Sequence, residues 1–164
     1  MRRQTGFTLI ELLLVLAIIG IISAVAVPAL LGQRERTRNK ATVANVVGHL
    51  GDLVGQYDKG REEGLAPAAI NLRLDAYLAG NVASLKTAWG DNVLFNTVVR
   101  PVTGATTQAE FEAAMLPNAS TIVGKIRVYV QHPTGTAPGY LGLVTNLTQP
   151  VDGSLVFRKC AALD

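Results

Sequence analysis

The chain has 164 residues, 49% of them hydrophobic, with 15 Lys and Arg against 12 Asp and Glu for a formal charge of +3. That length holds one compact domain beside a long helix, and a single cysteine, Cys160, excludes an intramolecular disulfide. Arg2 and Arg3 stand at the front; without them 13 basic residues (15 less two) face 12 acidic ones, and a formal +1 gives no footprint for nucleic acid.

From Phe7 to Leu31 the sequence is apolar or small apart from Thr8, Glu11 and Ser23. About 25 such residues make a helix of about 37 Å, enough to cross a hydrocarbon core of about 30 Å. A secretory signal has a shorter apolar core with a small-x-small cleavage site behind it. Here the candidate cut lies in front of the apolar run, after Gly6, so the helix stays with the mature chain. Arg34, Arg36, Arg38 and Lys40 behind the run nearly balance Arg2 and Arg3 before it once Glu35 is counted, so charge alone does not orient the span. Glu11 is the anomaly. A carboxylate at mid-membrane costs about 2.5–3.5 kcal/mol, less at the interface. It either rests at headgroup level near the helix N-terminus or pairs with a charge on another molecule.

The stretch Gly6-Phe7-Thr8-Leu9-Ile10-Glu11, followed by Leu-Leu-Leu-Val-Leu-Ala-Ile-Ile-Gly, closely resembles the class III signal of type IV prepilins and type II secretion pseudopilins; the likeness covers Met1 to about Lys40. The resemblance implies cleavage after Gly6, N-methylation of Phe7, and a Glu11 carboxylate that attracts the Phe7 amine of a neighbouring subunit during assembly. It also implies a cytoplasmic leader with the head domain outside. The partners it implies are further copies of the chain, a prepilin peptidase and methyltransferase, an assembly ATPase, an inner-membrane platform protein and a secretin.

Pro28 inside a helix removes one backbone hydrogen bond and crowds the preceding turn, so a kink is expected between Gly20 and Pro28; in similar pilins this segment bends. Beyond Leu31 the residues Val43, Val46, Val47, Leu50, Leu53, Val54 and Tyr57 recur at i, i+3, i+4 spacing and predict one apolar stripe that packs on the head. Gly48, Gly51 and Gly55 weaken that helix and are expected to let a sheet approach closely. His49 falls on the polar face. Asp58 to Gly64 carries the turn signals that end the helix.

Pro67 suits the first turn of a second helix, running through about Leu78 and closed by Gly80-Asn81. The run Leu85 to Asn92, with Trp89-Gly90, leads into a strand expected at Val93–Val99. It is similar to the Trp-Gly turn of major pseudopilins, although those more often read Asp-Pro-Trp-Gly; Trp89 is read as a core plug. Thr107-Gln108-Ala109-Glu110 is a capping box opening a short helix that ends before Pro117. Ile122–Val130 alternates as a half-buried strand with Lys125, Arg127 and Tyr129 on its outer side. A turn over His132–Gly139 and two strands, Tyr140–Val144 and Leu155–Phe157, complete the chain.

No Gly-x-Ser-x-Gly, His-Glu-x-x-His, P-loop or Cys-x-x-Cys is present. An enzyme reading has only Cys160 and His132 to work with, two lone residues without a local signature; Cys160 is read instead as a small apolar residue beside Val156 and Leu163. Asp91, Asn92 and Asp152 are too few oxygens for a calcium site and are read as turn formers. Asn118-Ala-Ser120 and Asn146-Leu-Thr148 have the glycosylation spacing, which arises easily by chance.

These residues give an α+β, pilin-like expectation: a long N-terminal helix, membrane-spanning in front and amphipathic behind, on an antiparallel sheet of three or four strands. The boundaries are a leader at 1–6, a membrane and assembly helix at 7–31, the amphipathic half at 32–59 and a head at 60–164. The expected function is a structural subunit of a type IV pilus, with no catalysis, cofactor or metal. The alternatives are a major pseudopilin of type II secretion, favoured by the Trp-Gly turn and the missing disulfide, or a membrane-anchored binding domain or enzyme.

Overall fold

The computed structural model describes residues 7–82, 85–90, 95, 98–115, 123–151 and 154–163, in two compact units, Met1–Thr37 and Arg38–Asp164. One helix, α1 (Leu9–Glu62), supplies the front unit and opens the second. Its end is sealed as the charge and glycine signals require. Gly64 takes a left-handed φ of 73°, its N–H donates to the Arg61 carbonyl at 2.9 Å, and the Leu65 N–H reaches the Gly60 carbonyl at 3.0 Å. That pair of bonds is a Schellman closure, which satisfies carbonyls the last turn leaves open. Arg73 of the next helix, α2 (Pro67–Tyr77), donates to the Glu63 carboxylate just past this end. A π-helical turn, Leu78–Val82, follows α2.

Four strands form one sheet in the order β1 (Arg100–Pro101), β2 (Ile126–Gln131), β3 (Gly139–Val151), β4 (Ser154–Leu163). β2, β3 and β4 are antiparallel, with Val128 opposite Leu143 and Leu143 opposite Lys159. β1 is parallel to β2, so the expected antiparallel sheet is a mixed one. Most of the strand expected at Val93–Val99 lies outside the described residues; Phe95 makes a single parallel bridge to Ile126. The strand expected from Ile122 begins only at Ile126. Ile122 lies outside the described residues, and Gly124, at φ 80°, is in a turn whose added Cβ would come within 2.8 Å of Trp89 Cδ1.

One face of the sheet, through Ile126, Val128, Val130, Leu141 and Leu143, buries Val46, Leu50, Leu53 and Tyr57 of α1 and Ile70 and Leu74 of α2. The buried stripe of α1 is Asn39, Thr42, Val46, Leu50, Leu53, Tyr57 and Gly60. Val47, by contrast, is 50% exposed, and Val43 and Val54 are only half-buried. The stripe is narrower than its apolar residues suggest and extends toward the helix front through polar ones. Asn39 Oδ1 accepts from the Thr148 N–H at 3.3 Å and the Thr148 hydroxyl at 3.2 Å.

The expectation for Gly48, Gly51 and Gly55 is overturned. All three are exposed, and a Cβ on any of them would meet nothing within 4 Å. At about 100° per residue they fall on the side of α1 away from the buried stripe. The glycine that admits a close neighbour is Gly60, where a Cβ would lie 3.2 Å from Ile70 Cγ1.

The other face of the sheet is covered by α3 (Gln108–Ala114). Thr107 and Glu110 close the expected capping box, with both reciprocal bonds present. Phe111 and Met115 pack on Tyr129, Tyr140 and Val144. Tyr129, expected on a solvated face, is therefore buried, and the sheet lies between helices on both sides. Gly142 makes this possible. A Cβ there would collide with Met115 Sδ and lie 2.7 Å from Phe111 Cε1. Gly142→Ala should destabilise the head by about 1–3 kcal/mol, because Met115 can shift but the enclosed Phe111 ring cannot. The check is thermal unfolding of the full chain in detergent by near-ultraviolet circular dichroism, with a drop in melting temperature of about 5 °C or more.

Candidate functional site

The front unit contains the predicted assembly residues. Gly6 lies outside the described residues. Phe7 is the first described residue and is 78% exposed. Helix α1 runs unbroken through Gly20 and Pro28. A Cβ at Gly20 would meet nothing within 4 Å; Pro28 has no N–H to give, so the Ala24 carbonyl lacks its usual helical donor. Leu9, Ile10, Leu12 to Leu16, Ile18, Ile19, Ile21, Ile22, Val25, Val27, Leu30 and Leu31 all lie exposed, and the helix is long and apolar enough to cross a membrane. A helix apolar on every side is stable only when lipid or other helices surround it.

At its front the backbone and one carboxylate are tied together. The Thr8 N–H and hydroxyl donate to Glu11 Oε2 at 3.0 and 2.8 Å, and the Glu11 N–H donates to the Thr8 hydroxyl at 3.3 Å. Thr8 thus caps the helix and Glu11, three residues on, bonds back to it: a capping box, the same Thr-x-x-Glu signal as Thr107–Glu110. The box fixes the Glu11 carboxylate one turn inside the helix, using Oε2 and leaving Oε1 with no bond to the described residues of its own chain. Charge and geometry therefore leave one carboxylate oxygen available to a cation from outside.

A profile of the prokaryotic N-terminal methylation motif matches residues 1–27. The chain carries that motif. The match takes in most of the apolar segment, with Glu11 and Gly20, and ends at the residue before Pro28. The chain is 45% identical over 47 residues to type II secretion system core protein G of Vibrio cholerae, covering 29% of this chain and 32% of that protein. It is 41% identical over 46 residues to the protein of the same name from Aeromonas hydrophila, covering 28% and 32%. It is also 52% identical over 44 residues to the type IV wide pilus major component PilA4 of Thermus thermophilus, covering 27% and 34%. The chain thus spans about a third of the length of each of these relatives, and no solved structure matches it.

The head's chemically active side chains are held apart. His132 Nε2–H donates to Asn71 Oδ1 at 2.9 Å, and its Nδ1 accepts from the buried Tyr57 hydroxyl at 3.2 Å. Cys160 Sγ donates to Glu112 Oε1 at 3.1 Å. Burial first, and then the Glu112 carboxylate, push the thiol up to about 12. Cys160 is thus a hydrogen-bond donor on the α3 side, a role its apolar neighbours do not suggest, and it is not activated as a nucleophile. Its partner in the enzyme reading, His132, joins α1 to α2 on the other side of the sheet. Asp91, Asn92, Asp152, Asn118 and Ser120 lie outside the described residues. Asn146 is within β3, paired opposite Val156, and the Thr148 hydroxyl is engaged with Asn39.

His132 gives the head a pH dependence. Burial lowers its pKa from the ordinary 6.5, so the folded state favours the neutral ring, whose one N–H and one lone pair match Asn71 and Tyr57. The stabilisation is complete above 6.5 and fades as the pH falls below that value through the lowered folded pKa. Melting temperatures between pH 7.5 and 5 should show a fall that His132→Gln flattens.

Proposed function

We propose that the chain is a structural subunit of a type IV pilus, held in the inner membrane by Phe7–Leu31 until it polymerises with copies of itself into an extracellular filament. One observation carries this reading: a helix apolar on every side, exposed along its whole front half, with a single carboxylate fixed one turn from its start. A plain anchor has no use for Glu11; a helix that must find a register among identical neighbours does. In that setting Glu11 Oε1 takes the methylated Phe7 amine of the next subunit, neutralising two charges in a place with little water. The exposed face of Gly48, Gly51 and Gly55 supports the same reading, since small residues let helices approach closely. The chain itself performs no catalysis; the peptidase, assembly ATPase, platform protein and secretin act on it.

A second reading, a major pseudopilin of type II secretion, is favoured by the Trp89-Gly90 turn and the unpaired Cys160. Intact-mass measurement of filaments sheared from cells tests the first. The mature chain should begin at an N-methylated Phe7, and Gly6→Val should leave the leader attached. A chain still starting at Met1, or trimmed behind Ser23, rules out the processing. Absence of surface filaments together with a block in protein secretion on deletion moves the assignment to the pseudopilin.

A further inference from the structure

The function just described gives no role to Arg34 and Arg36 behind the apolar run. Arg34 and Arg36 are exposed, and neither is held in an ion pair among the described residues. They follow Leu31, where the apolar run of about 37 Å ends, by three and five residues, or about 4.5 and 7.5 Å along the helix, which places them beyond the hydrocarbon and at the headgroup level. Two residues on a helix are about 200° apart, so the two guanidinium groups leave α1 on opposite sides. A single partner protein meets one side of a helix, and copies of the chain surround it only after polymerisation. Cations directed to both sides fit a surrounding that is the same all round, and the layer around a membrane helix at this depth is lipid headgroup. Arg38, the next cation, is committed elsewhere, with its guanidinium 5.2 Å from the centre of the Trp89 ring.

We propose that Arg34 and Arg36 seat in the headgroup layer at the head-side end of the span and select anionic phospholipid there. The guanidinium fork matches a phosphodiester with two N–H donors, and arginine stems reach outward along the helix while the charge stays at the interface. The net negative charge of the lipid, beyond the phosphate common to all headgroups, supplies the preference. This rests on the reading of Phe7–Leu31 as a membrane span.

The full chain, incorporated into bilayers of equal phosphatidylglycerol and phosphatidylcholine, is probed with a spin-labelled version of each lipid, and the immobilised fraction at the protein is compared. Phosphatidylglycerol should be favoured about fivefold at low salt and nearly unselected in about 0.5 M salt, where screening is strong. Arg34→Gln/Arg36→Gln should bring the preference below about twofold, while Lys59→Gln/Arg61→Gln, which removes the same charge from the far end of α1, should leave it intact. Equal immobilisation of both lipids by the wild type, or the same loss from both variants, overturns the lipid site alone. A chain that does not incorporate, and washes out in alkaline carbonate, overturns the membrane span along with it.

Discussion

Glu11→Leu is expected to leave cells with almost no filaments while the chain still inserts in the membrane and is still cut after Gly6. Losing one member of a desolvated charge pair strands the other at a cost of about 3–5 kcal/mol, and the loss recurs at every subunit added. The substitution also removes the acceptor of the Thr8 N–H and hydroxyl, so by itself it does not separate charge from capping. Glu11→Gln does. Glutamine can still close the box with Thr8 but offers no countercharge to an amine. Both variants should drop the sheared-filament fraction to below about a tenth of wild type, with membrane levels and head-domain melting unchanged. Normal filaments from the glutamine variant would assign Glu11 to helix capping alone.

The second large effect is in the head. Leu50→Asp puts a carboxylate at a site 7% exposed, against the leucines and valines of the sheet. An unpaired charge there costs several kcal/mol, a large part of the 5–15 kcal/mol that holds a domain of this size. Near-ultraviolet signal should be lost or the transition shifted down by well over 10 °C. Val47→Asp, three residues earlier in the same apolar run, should change stability by about 0.5 kcal/mol or less, because Val47 is on the open side. Equal behaviour of the two variants would mean that α1 presents a different face to the sheet.

The contrast between Leu50 and Val47 shows how much of the fold the chain reveals when read without coordinates. Period 3.6 located the helix and its apolar half, yet hydrophobicity alone drew the stripe too wide, including Val47 and missing Asn39 and Thr42. Those two are buried because Asn39 bonds across to Thr148 and Thr42 lies beside Gly124, and such partners come from far along the chain. The Thr107–Glu110 box was readable from spacing; the identical Thr8–Glu11 spacing was equally present and yields the geometry of the candidate site. Tyr129 was misplaced because strand alternation marks two faces without saying whether a helix covers the second. Gln131, which is buried, grips the Ala105 backbone through both ends of its amide, a role no local pattern encodes. Glu11 was legible as a candidate because a carboxylate in an apolar span needs a reason wherever it occurs.

The order in which the head core is assembled has a consequence in time. Val46 to Tyr57 of α1 are covered by strand residues 126 to 143 and by Leu163, so the helix emerges about 70 to 110 residues ahead of what buries it. At synthesis rates of about 5–20 residues per second, its apolar stripe stays open for on the order of ten seconds. During that interval the front of the same helix is already a candidate for the bilayer. The half-made chain is therefore at its most adhesive while held at the membrane, and the β3–β4 hairpin, made last, is the piece that ends the exposure.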